Sequence, residues 1–207
     1  MGITPPSYLW DPKRISMWGN DQYGDCTVAE EAFAKSVAAG VFVPDAEVIQ
    51  WARTNGAIDG DTLIDVLDKM QTGGFALGGK MYDDGEPRSI DWTNAAILKN
   101  AICQGPVKIG IAADQLQEVV PNPPTNGWIA TGFAQDDNMD HCVSLCGYGS
   151  MAWLSSQLGA PEPMMPLAEQ TQAYAMFSWD SVGIIDVPSL IAICGEAWIR
   201  VPNSVIK

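Results

Sequence analysis

The amino-acid sequence predicts an α+β fold in a single domain over 1–207, built from two lobes. Apolar residues recur at helical spacing in the first half of the chain, whereas apolar runs of strand length dominate the second half. With 47% hydrophobic and 17% charged residues, the composition is that of a globular protein. We therefore expect a helical lobe over about 20–100 and a mainly β lobe over about 101–207, with an insertion at about 150–172.

Three helices are predicted in the first lobe. The first begins at Cys26 and is followed by apolar residues at helical spacing until Gly40 interrupts them. A second helix begins at Asp45, which we expect to cap it, and runs through Arg53. A third spans about 62–71, and the two glycines that follow it end the helical pattern.

The middle of the chain combines a loop, a helix and the first strands. The run at 80–88 is predicted to be a charged loop, and 93–104 is predicted to be a helix that Gly-Pro terminates. Apolar and other residues alternate at 107–111, which indicates a half-buried strand. The stretch at 141–146 indicates a strand with Val143 and Leu145 on the same face as His141. Further strands are predicted at 173–179 and 196–201.

The charge of the chain narrows its possible partners. The formal net charge is −14, and the 11 Lys and Arg residues are scattered rather than clustered, which excludes nucleic acid as a partner. No apolar run is long enough to span a bilayer, so we expect no membrane binding. Residues 2–12 lack the features of a signal peptide. We expect a cytoplasmic or virion-associated protein.

The five cysteines make an odd number, so at least one thiol has no disulfide partner within the chain. Cys142 and Cys146 share a strand face but lie about 13 Å apart, which is too far for a disulfide. No two cysteines have the spacing of a zinc site, and we predict no metal and no cofactor. The run 59–61, Asp-Gly-Asp, resembles the start of a calcium loop, but the later ligands are missing and a turn with a helix cap is favoured.

Cys26 and His141 are the candidate catalytic residues. Cys26 stands at a predicted helix N-terminus, where unpaired N–H groups and the helix dipole stabilise a thiolate. His141 is the only histidine in the chain and heads the predicted strand in NMDHCVSLCGYG, so it is the side chain best suited to proton transfer near neutral pH. The alternative is that both residues pack in the core, and Asp25, Glu30 and Glu31 add negative charge that opposes a thiolate.

Four segments, in this order, resemble the papain-like cysteine peptidases, the family of papain and the cathepsins. NDQYGDCTVAEEAF resembles the family's entry into its central helix, and GAIDGDTLIDVLDKMQTGG resembles its Gly-rich turn and following helix at the cleft. LKNAICQGPVKIGIAAD resembles its helix, Gly-Pro turn and strand, and MDHCVSLCGYG resembles its histidine strand. The matches span Asn20 to Gly149. The resemblance implies a papain-like two-lobed fold whose second lobe is an antiparallel β-sheet or barrel.

The resemblance also implies roles for individual residues. Cys26 would be the nucleophile, His141 the base and acid, and Gln22 an oxyanion donor beside the backbone N–H of Cys26. Trp179 would shield the histidine. The loops implied to line the substrate cleft contain Asp59, Gly60, Asp61, Met139 and Asp140.

The sequence departs from the family pattern at two of these roles. Gln22 stands four residues before Cys26, whereas the family usually has six, and its amide is equally suited to a bond within its own turn. The family has Asn before Ser-Trp to orient the histidine, whereas this chain has Phe177 there. Ser178 and Asp180 are the alternatives for that orienting role.

Two functions from different classes follow. In the first, the protein is a thiol peptidase, or a related amide or acyl-transfer enzyme, that acts on a peptide or protein substrate through the Cys-His pair. In the second, it is an inactive papain-like scaffold with an interaction or structural role, for example on a bacteriophage particle, in a protein assembly or homo-oligomer. The match at Cys26 and His141 favours the first function, and the missing Asn favours the second.

Overall fold

The structure is a computed structural model that describes residues 4–160 and 170–207. Its helices are α1 (Cys26–Ala38), α2 (Asp45–Thr54), α3 (Leu63–Thr72), α4 (Ala95–Gln104), α5 (Asp114–Val119), α6 (Met151–Leu158) and α7 (Val187–Ile193). Its strands are β1 (Tyr8–Leu9), β2 (Phe75–Leu77), β3 (Lys80–Asp83), β4 (Glu86–Ser89), β5 (Val107–Ile111), β6 (Ile129–Ala130), β7 (His141–Ser150), β8 (Gln172–Ser178), β9 (Ser181–Asp186), β10 (Cys194–Val201) and β11 (Val205–Ile206).

One large sheet organises the molecule. Its strands follow the order β4-β10-β5-β7-β8-β9-β6, and β1 also pairs with β7. The pairs are antiparallel except for β6 with β9. A smaller sheet has the order β11-β3-β2. Helices precede most of the large sheet along the chain, so the predicted α+β class with an antiparallel sheet is confirmed.

The large sheet has an apolar core on each face. Along β8, Ala175 and Phe177 pack with α1, while Tyr174 and Met176 pack with α4 and α7 on the opposite face. This alternation is the two-residue period of a strand buried on both sides. The faces predicted for β7 are confirmed, because Val143 and Leu145 both lie in the core on the side of the sheet that α4 and α7 cover.

The three predicted helices of the first half are confirmed with small shifts at their ends. α1 begins at Cys26 as predicted, and Thr62 caps α3 by accepting a hydrogen bond from the Asp65 backbone N–H at 3.2 Å. The N-cap of α2 is Pro44, so the prediction that Asp45 caps this helix is wrong by one residue.

The loop prediction at 80–88 is wrong, since this run contains β3 and β4. β4 pairs with β10 at one edge of the large sheet, and its Glu86 and Arg88 side chains are exposed. β3 lies between β2 and β11 in the small sheet. β4 is held by pairing with the distant β10, and β3 by pairing with its neighbour β2 and with the distant β11. Neither strand shows the apolar alternation that marks a strand in sequence.

The predicted half-buried character of β5 is also wrong, because every residue of this strand is buried, including Lys108. Its ammonium donates hydrogen bonds to the Thr27 carbonyl at 2.8 Å and to Glu31 Oε1 at 2.6 Å. A buried charge is tolerated when it is paired and hydrogen-bonded in this way. The alternation seen in the sequence therefore reflects a buried ion pair.

A buried ionic network joins α1 to the sheet. Arg200 of β10 contacts Glu30 Oε2 at 2.5 Å, Glu31 Oε2 at 3.0 Å and Asp84 Oδ2 at 3.1 Å. Lys35, near the end of α1, forms an ion pair with Asp84. Each of these side chains is fully buried. The network fixes how α1, and with it Cys26, sits on the sheet.

The predicted insertion at 150–172 begins with α6, which packs on β8 and β9. Residues 161–169 of this insertion lie outside the part that the structure describes. Within residues 4–160 and 170–207, no helix is both long and apolar enough to cross a membrane.

Candidate active site

Cys26 is the first residue of α1 and lines a cavity of about 460 Å³. The side chain is half-buried. Asp25 precedes it as the N-cap but makes no side-chain capping bond, so the first N–H groups of α1 are left without this partner. A helix N-terminus of this kind favours a negative charge on the nearby sulfur.

Three parts of the chain close this cavity around Cys26. They are the start of α1, the turn that leads into α3, and the start of β7 with its neighbouring strands. Gly24 lets the first two approach each other, because a Cβ there would lie 3.1 Å from the Asp59 carbonyl carbon. The lining residues are Asn20, Gly24, Cys26, Thr27, Asp59, Gly60, Asp61, Thr62, Leu63, Gly110, Met139, Asp140, His141, Cys142 and Glu196.

His141 lines the same cavity from the first position of β7, where it pairs with Ile111 of β5. Its Nε2 lies 3.1 Å from Ser178 Oγ at the end of β8. The indole of Trp179 stacks on the imidazole, with ring centroids 4.4 Å apart and an interplanar angle of 12°. The stacked Trp179 ring thus holds the plane of the imidazole, and the Ser178 hydroxyl holds its Nε2 nitrogen.

The turn between β8 and β9 presents both of these partners. Ser178 pairs with Ser181, and the two residues between them, Trp179 and Asp180, have φ of 44° and 57°. Positive φ at both central residues is the geometry of a tight hairpin turn, but it is unusual for a residue as large as Trp. The Ser181 hydroxyl donates to the Ser178 carbonyl at 2.8 Å and accepts from Trp128 Nε1 at 2.9 Å, which braces the turn.

No protein-family model and no curated protein match the sequence. Solved structures do match its fold. Bromelain from Ananas comosus, bound to E64, aligns over 95% of this chain and 98% of its own with TM-score 0.66 and 13% identity. The Carica candamarcensis cysteine protease CMS1MS2, bound to E-64, aligns over the same shares with TM-score 0.64 and 14% identity. A structure from work on the mite allergens Blo t 1 and Der p 1 aligns over 97% and 72% with TM-score 0.68 and 15% identity.

The chain has a papain-like fold. At 13% to 15% identity the likeness establishes the fold alone. The chemistry open to this papain-like protein depends on its own side chains around the cavity.

Two residues predicted for the papain-like site lie away from it. Gln22 is exposed and absent from the cavity lining, and its amide nitrogen lies 3.4 Å from Asp21 Oδ2. Asp180 is exposed, whereas it is Ser178 that contacts His141. Both residues lie in short turns. There, a shift of one position along the chain moves a side chain to the opposite side of the turn or strand.

Asn20 and Glu196 line the cavity, although the sequence motifs did not predict them as site residues. Asn20 stands six residues before Cys26, which is the spacing expected of the family's glutamine, so this offset was an available signal. Glu196 is far from both predicted site residues in sequence and reaches the cavity only through the pairing of β10 with β5. Phe177, at the position where the family has Asn, stacks on Phe33 at 4.1 Å within the core.

The thiol and the imidazole are both held toward their neutral forms. Burial raises the pKa of the Cys26 thiol, although the backbone N–H of Cys142 and the Lys108 ammonium act in the opposite direction. Burial lowers the pKa of His141 to about 4, and the nearby Asp140 only partly offsets this effect. At pH 7 the resting pair is therefore a thiol and an uncharged imidazole.

Asp25, directly before the candidate nucleophile, is fully buried and neither carboxyl oxygen has a hydrogen-bond partner among the described residues. Burial raises the pKa of Asp25 to about 7, and Asp21 adds to the shift. An ionised Asp25 also raises the pKa of Cys26. The protonation state of this carboxyl thus bears on both stability and thiol reactivity.

Acidic side chains surround the rest of the cavity, and their partners differ. Asp61 forms an ion pair with Lys69, and Asp140 Oδ1 accepts a hydrogen bond from the Ala113 backbone N–H at 2.9 Å. Glu196 Oε2 accepts from Trp198 Nε1 at 2.5 Å, and no cation of the described residues pairs with Glu196. Residues 4–160 and 170–207 contain no cluster of three or more His, Cys, Asp or Glu arranged to hold a metal ion.

All five cysteines are free thiols. Burial raises the pKa of Cys146 and of Cys194 to about 12 and that of Cys142 well above its usual value. Cys103 is half-buried, and its sulfur lies 3.2 Å from the Tyr148 hydroxyl. Cys26 is thus the half-buried thiol that opens into the cavity shared with His141.

Proposed function

We propose that this papain-like protein is a cysteine peptidase, or a related amide-bond hydrolase, with Cys26 as the nucleophile and His141 as the base and acid. One observation carries the proposal. Cys26 at a helix N-terminus and His141 line a single cavity, and the imidazole is held there by Ser178 and Trp179. Papain-like proteases act on peptides, and so a peptide or protein is the proposed substrate.

The neutral resting pair defines the order of the proton transfers. Because Ser178 engages Nε2, we assign the proton exchange with the Cys26 thiol to the other nitrogen of His141, Nδ1. His141 takes the Cys26 proton as the sulfur bonds to the substrate carbonyl carbon, and the imidazolium then gives that proton to the departing amine. Water, deprotonated by His141, releases the acid product from the acyl-sulfur bond and regenerates the thiol.

Stabilisation of the oxyanion is assigned to the backbone N–H of Cys26 and the side-chain amide of Asn20. The N–H belongs to the first turn of α1, and Asn20 lines the same cavity as Cys26. Donors placed where negative charge develops in the transition state contribute a large share of the rate enhancement. Gln22, exposed and turned toward Asp21, is a weaker candidate for this role.

The acidic cavity supports a preference for substrates with basic side chains. Glu196 lies against Gly110, where a Cβ would be 3.4 Å from Glu196 Oε1, so the glycine leaves room beside this carboxylate. Leu63 and Met139 add apolar surface to the same cavity. A carboxylate at the side of an apolar pocket suits a Lys or Arg side chain, whose stem is apolar and whose tip is charged.

A non-catalytic scaffold is the second candidate function, and one observation favours it. Burial raises the pKa of Cys26 and lowers that of His141, so little thiolate is present at pH 7. In such a scaffold the cavity would bind a peptide segment of a partner or of an assembly without cleaving it.

The two candidates are separated by thiol labelling combined with a peptide-cleavage assay. Limiting iodoacetamide is applied at pH 7, and adducts at each cysteine are quantified by mass spectrometry. Hydrolysis of fluorogenic peptides with basic and neutral side chains is measured alongside. If the protein is a peptidase, we expect preferential adducts at Cys26, slower labelling of Cys26 in His141→Ala, and peptide hydrolysis that Cys26→Ser abolishes.

Cys103→Ser is the matched control, since Cys103 is the other half-buried thiol and lies outside the cavity. It should leave hydrolysis unchanged. Slow, uniform labelling of Cys26 and Cys103, with no hydrolysis of any peptide, would instead establish the scaffold.

A further inference from the structure

A buried ammonium group sits directly beneath the first turn of α1. Lys108 of β5 is fully buried, and its Nζ donates to the carbonyl of Thr27, the residue after Cys26, at 2.8 Å. The same nitrogen lies 2.6 Å from Glu31 Oε1 and 3.5 Å from Glu30 Oε2. Lysine is almost never fully buried without a specific set of partners, so this placement calls for an explanation.

Ion pairing within the core does not require a lysine at this place. Arg200 already contacts both glutamates, with its Nη2 at 2.5 Å from Glu30 Oε2 and 2.7 Å from Glu31 Oε1. What Lys108 adds to these contacts is the bond to the Thr27 carbonyl, one residue from the nucleophile. Along the strand, Lys108 is followed two residues later by Gly110, which lines the cavity and pairs with Cys142.

We infer that Lys108 is a positioning residue for Cys26. It anchors the first turn of α1 through the Thr27 carbonyl and supplies a fixed positive charge beneath the nucleophile. This role in support of catalysis rests on the proposed function, whereas the effect of the charge on the thiol is measurable without it.

The electrostatics of the site agree with this geometry. The Lys108 ammonium lowers the pKa of the Cys26 thiol, partly offsetting the increase that burial causes. The imidazole of His141 is neutral at pH 7, because burial lowers its pKa to about 4. The other titratable groups of the cavity lining are Asp59, Asp61, Asp140, Cys142 and Glu196, and the buried Asp25 adjoins Cys26 in the chain.

Lys35 offers a matched comparison within the same network. It is also fully buried, also forms an ion pair with a carboxylate that Arg200 contacts as well, and also donates to a backbone carbonyl, that of Asp83 at 2.8 Å. It lies near the opposite end of α1 from Cys26. Loss of either lysine therefore removes one buried cation, but only Lys108 touches the first turn.

The test is the pH dependence of iodoacetamide labelling at Cys26, followed by mass spectrometry from pH 6 to pH 10 in Lys108→Met, Lys108→Arg and Lys35→Met. Lys108→Met should slow labelling of Cys26 about tenfold at pH 7 and move the midpoint to higher pH, since an opposite charge within a few ångströms favours the thiolate. Lys108→Arg retains the charge and should restore a profile within about twofold of the natural protein. Lys35→Met should label Cys26 with the same pH midpoint as the natural protein.

Thermal unfolding is recorded for each variant, and Lys108→Gln, which keeps a donor for Thr27 but no charge, replaces Lys108→Met if that variant fails to fold. The inference is overturned if the uncharged variant keeps the natural midpoint, or if Lys35→Met shifts it equally. The proposed function is tested separately. If the natural protein hydrolyses no peptide while the Lys108 variants still shift the labelling profile as expected, the proposed function fails and the inference on Lys108 stands.

Discussion

The Nε2 nitrogen of His141 lies 3.1 Å from the hydroxyl oxygen of Ser178. A serine at the end of β8 thus engages the nitrogen opposite the one assigned to the thiol. The preceding residue, Phe177, points into the core and stacks on Phe33. The hydroxyl of Ser178 is therefore the polar group at this strand end that can hold the histidine in one orientation.

Replacing Ser178 by Ala should lower kcat about tenfold and change KM little, because it removes one hydrogen bond that orients the base. Steady-state kinetics on a cleaved fluorogenic peptide measure this. Ser144→Ala is the control, since Ser144 is also fully buried and its hydroxyl has no hydrogen-bond partner among the described residues. Equal losses in the two variants would show that the effect of Ser178 is structural only.

Asn20→Ala should lower kcat by about a hundredfold, the typical cost of losing one oxyanion donor. Gln22→Ala should retain activity within about twofold, because Gln22 is exposed and lies outside the cavity lining. Kinetics of the two variants side by side decide which amide serves the oxyanion. The reverse ranking would restore Gln22 to the role that the sequence assigned to it.

Glu196→Gln should reduce the preference for a peptide with Arg over its neutral citrulline analogue by about threefold to fivefold, as expected for a partly exposed charge pair. The measurement is the ratio of kcat/KM for the two peptides. Glu86→Gln is the control, because Glu86 is exposed on β4 and pairs with Arg88. A ratio unchanged in Glu196→Gln would mean that the basic side chain binds elsewhere.

The acid limb of kcat/KM should fall near pH 4 and not near the 6.5 of an unperturbed histidine, because burial lowers the pKa of His141 to about 4. Protonation as the pH falls through this value removes the lone pair that accepts the thiol proton. As the chain has one histidine, the two C–H signals of its imidazole in the NMR spectrum report the same pKa without residue assignment. A titration midpoint near 6.5 would show that the imidazole is open to water.

Asp25→Asn should stabilise the protein at pH 8 by about 2 to 4 kcal/mol. The folded pKa of Asp25, about 7, lies above its unfolded value, so the protonated carboxyl stabilises the fold at low pH and this contribution is lost as the pH rises through 7. Urea unfolding at pH 5 and pH 8 measures the free energies of unfolding. The gain of the variant over the natural protein should be larger at pH 8.

Asp68→Asn serves as the control for that measurement, since Asp68 is exposed and is not among the groups that shift the pKa of Asp25. It should leave the free energy of unfolding nearly unchanged at both pH values. Asp25→Asn should also speed iodoacetamide labelling of Cys26 at pH 8, because an ionised Asp25 raises the pKa of the thiol. A variant less stable than the natural protein at pH 8 would show that the carboxylate has a partner in solution.

The sequence by itself determined most of the local elements, with the exception of β3 and β4, and the two candidate catalytic residues. Helix starts at Cys26 and near Thr62, and the two-faced strand after His141, follow from spacing and capping within a few residues. Such signals are local because helical contacts join residues three or four apart and strand faces alternate every second residue. The order of four short segments along the chain was enough to indicate the papain-like fold.

Only the tertiary structure decided which side chains meet at the cavity. It turned Gln22 outward, brought Asn20 and Glu196 to the lining, and joined Ser178 to His141 across 37 residues. It also buried Lys108 against the first turn of α1, where the sequence showed only an alternating strand. These contacts depend on strand pairing and turn geometry between distant segments, and a shift of one residue reverses the direction of a side chain.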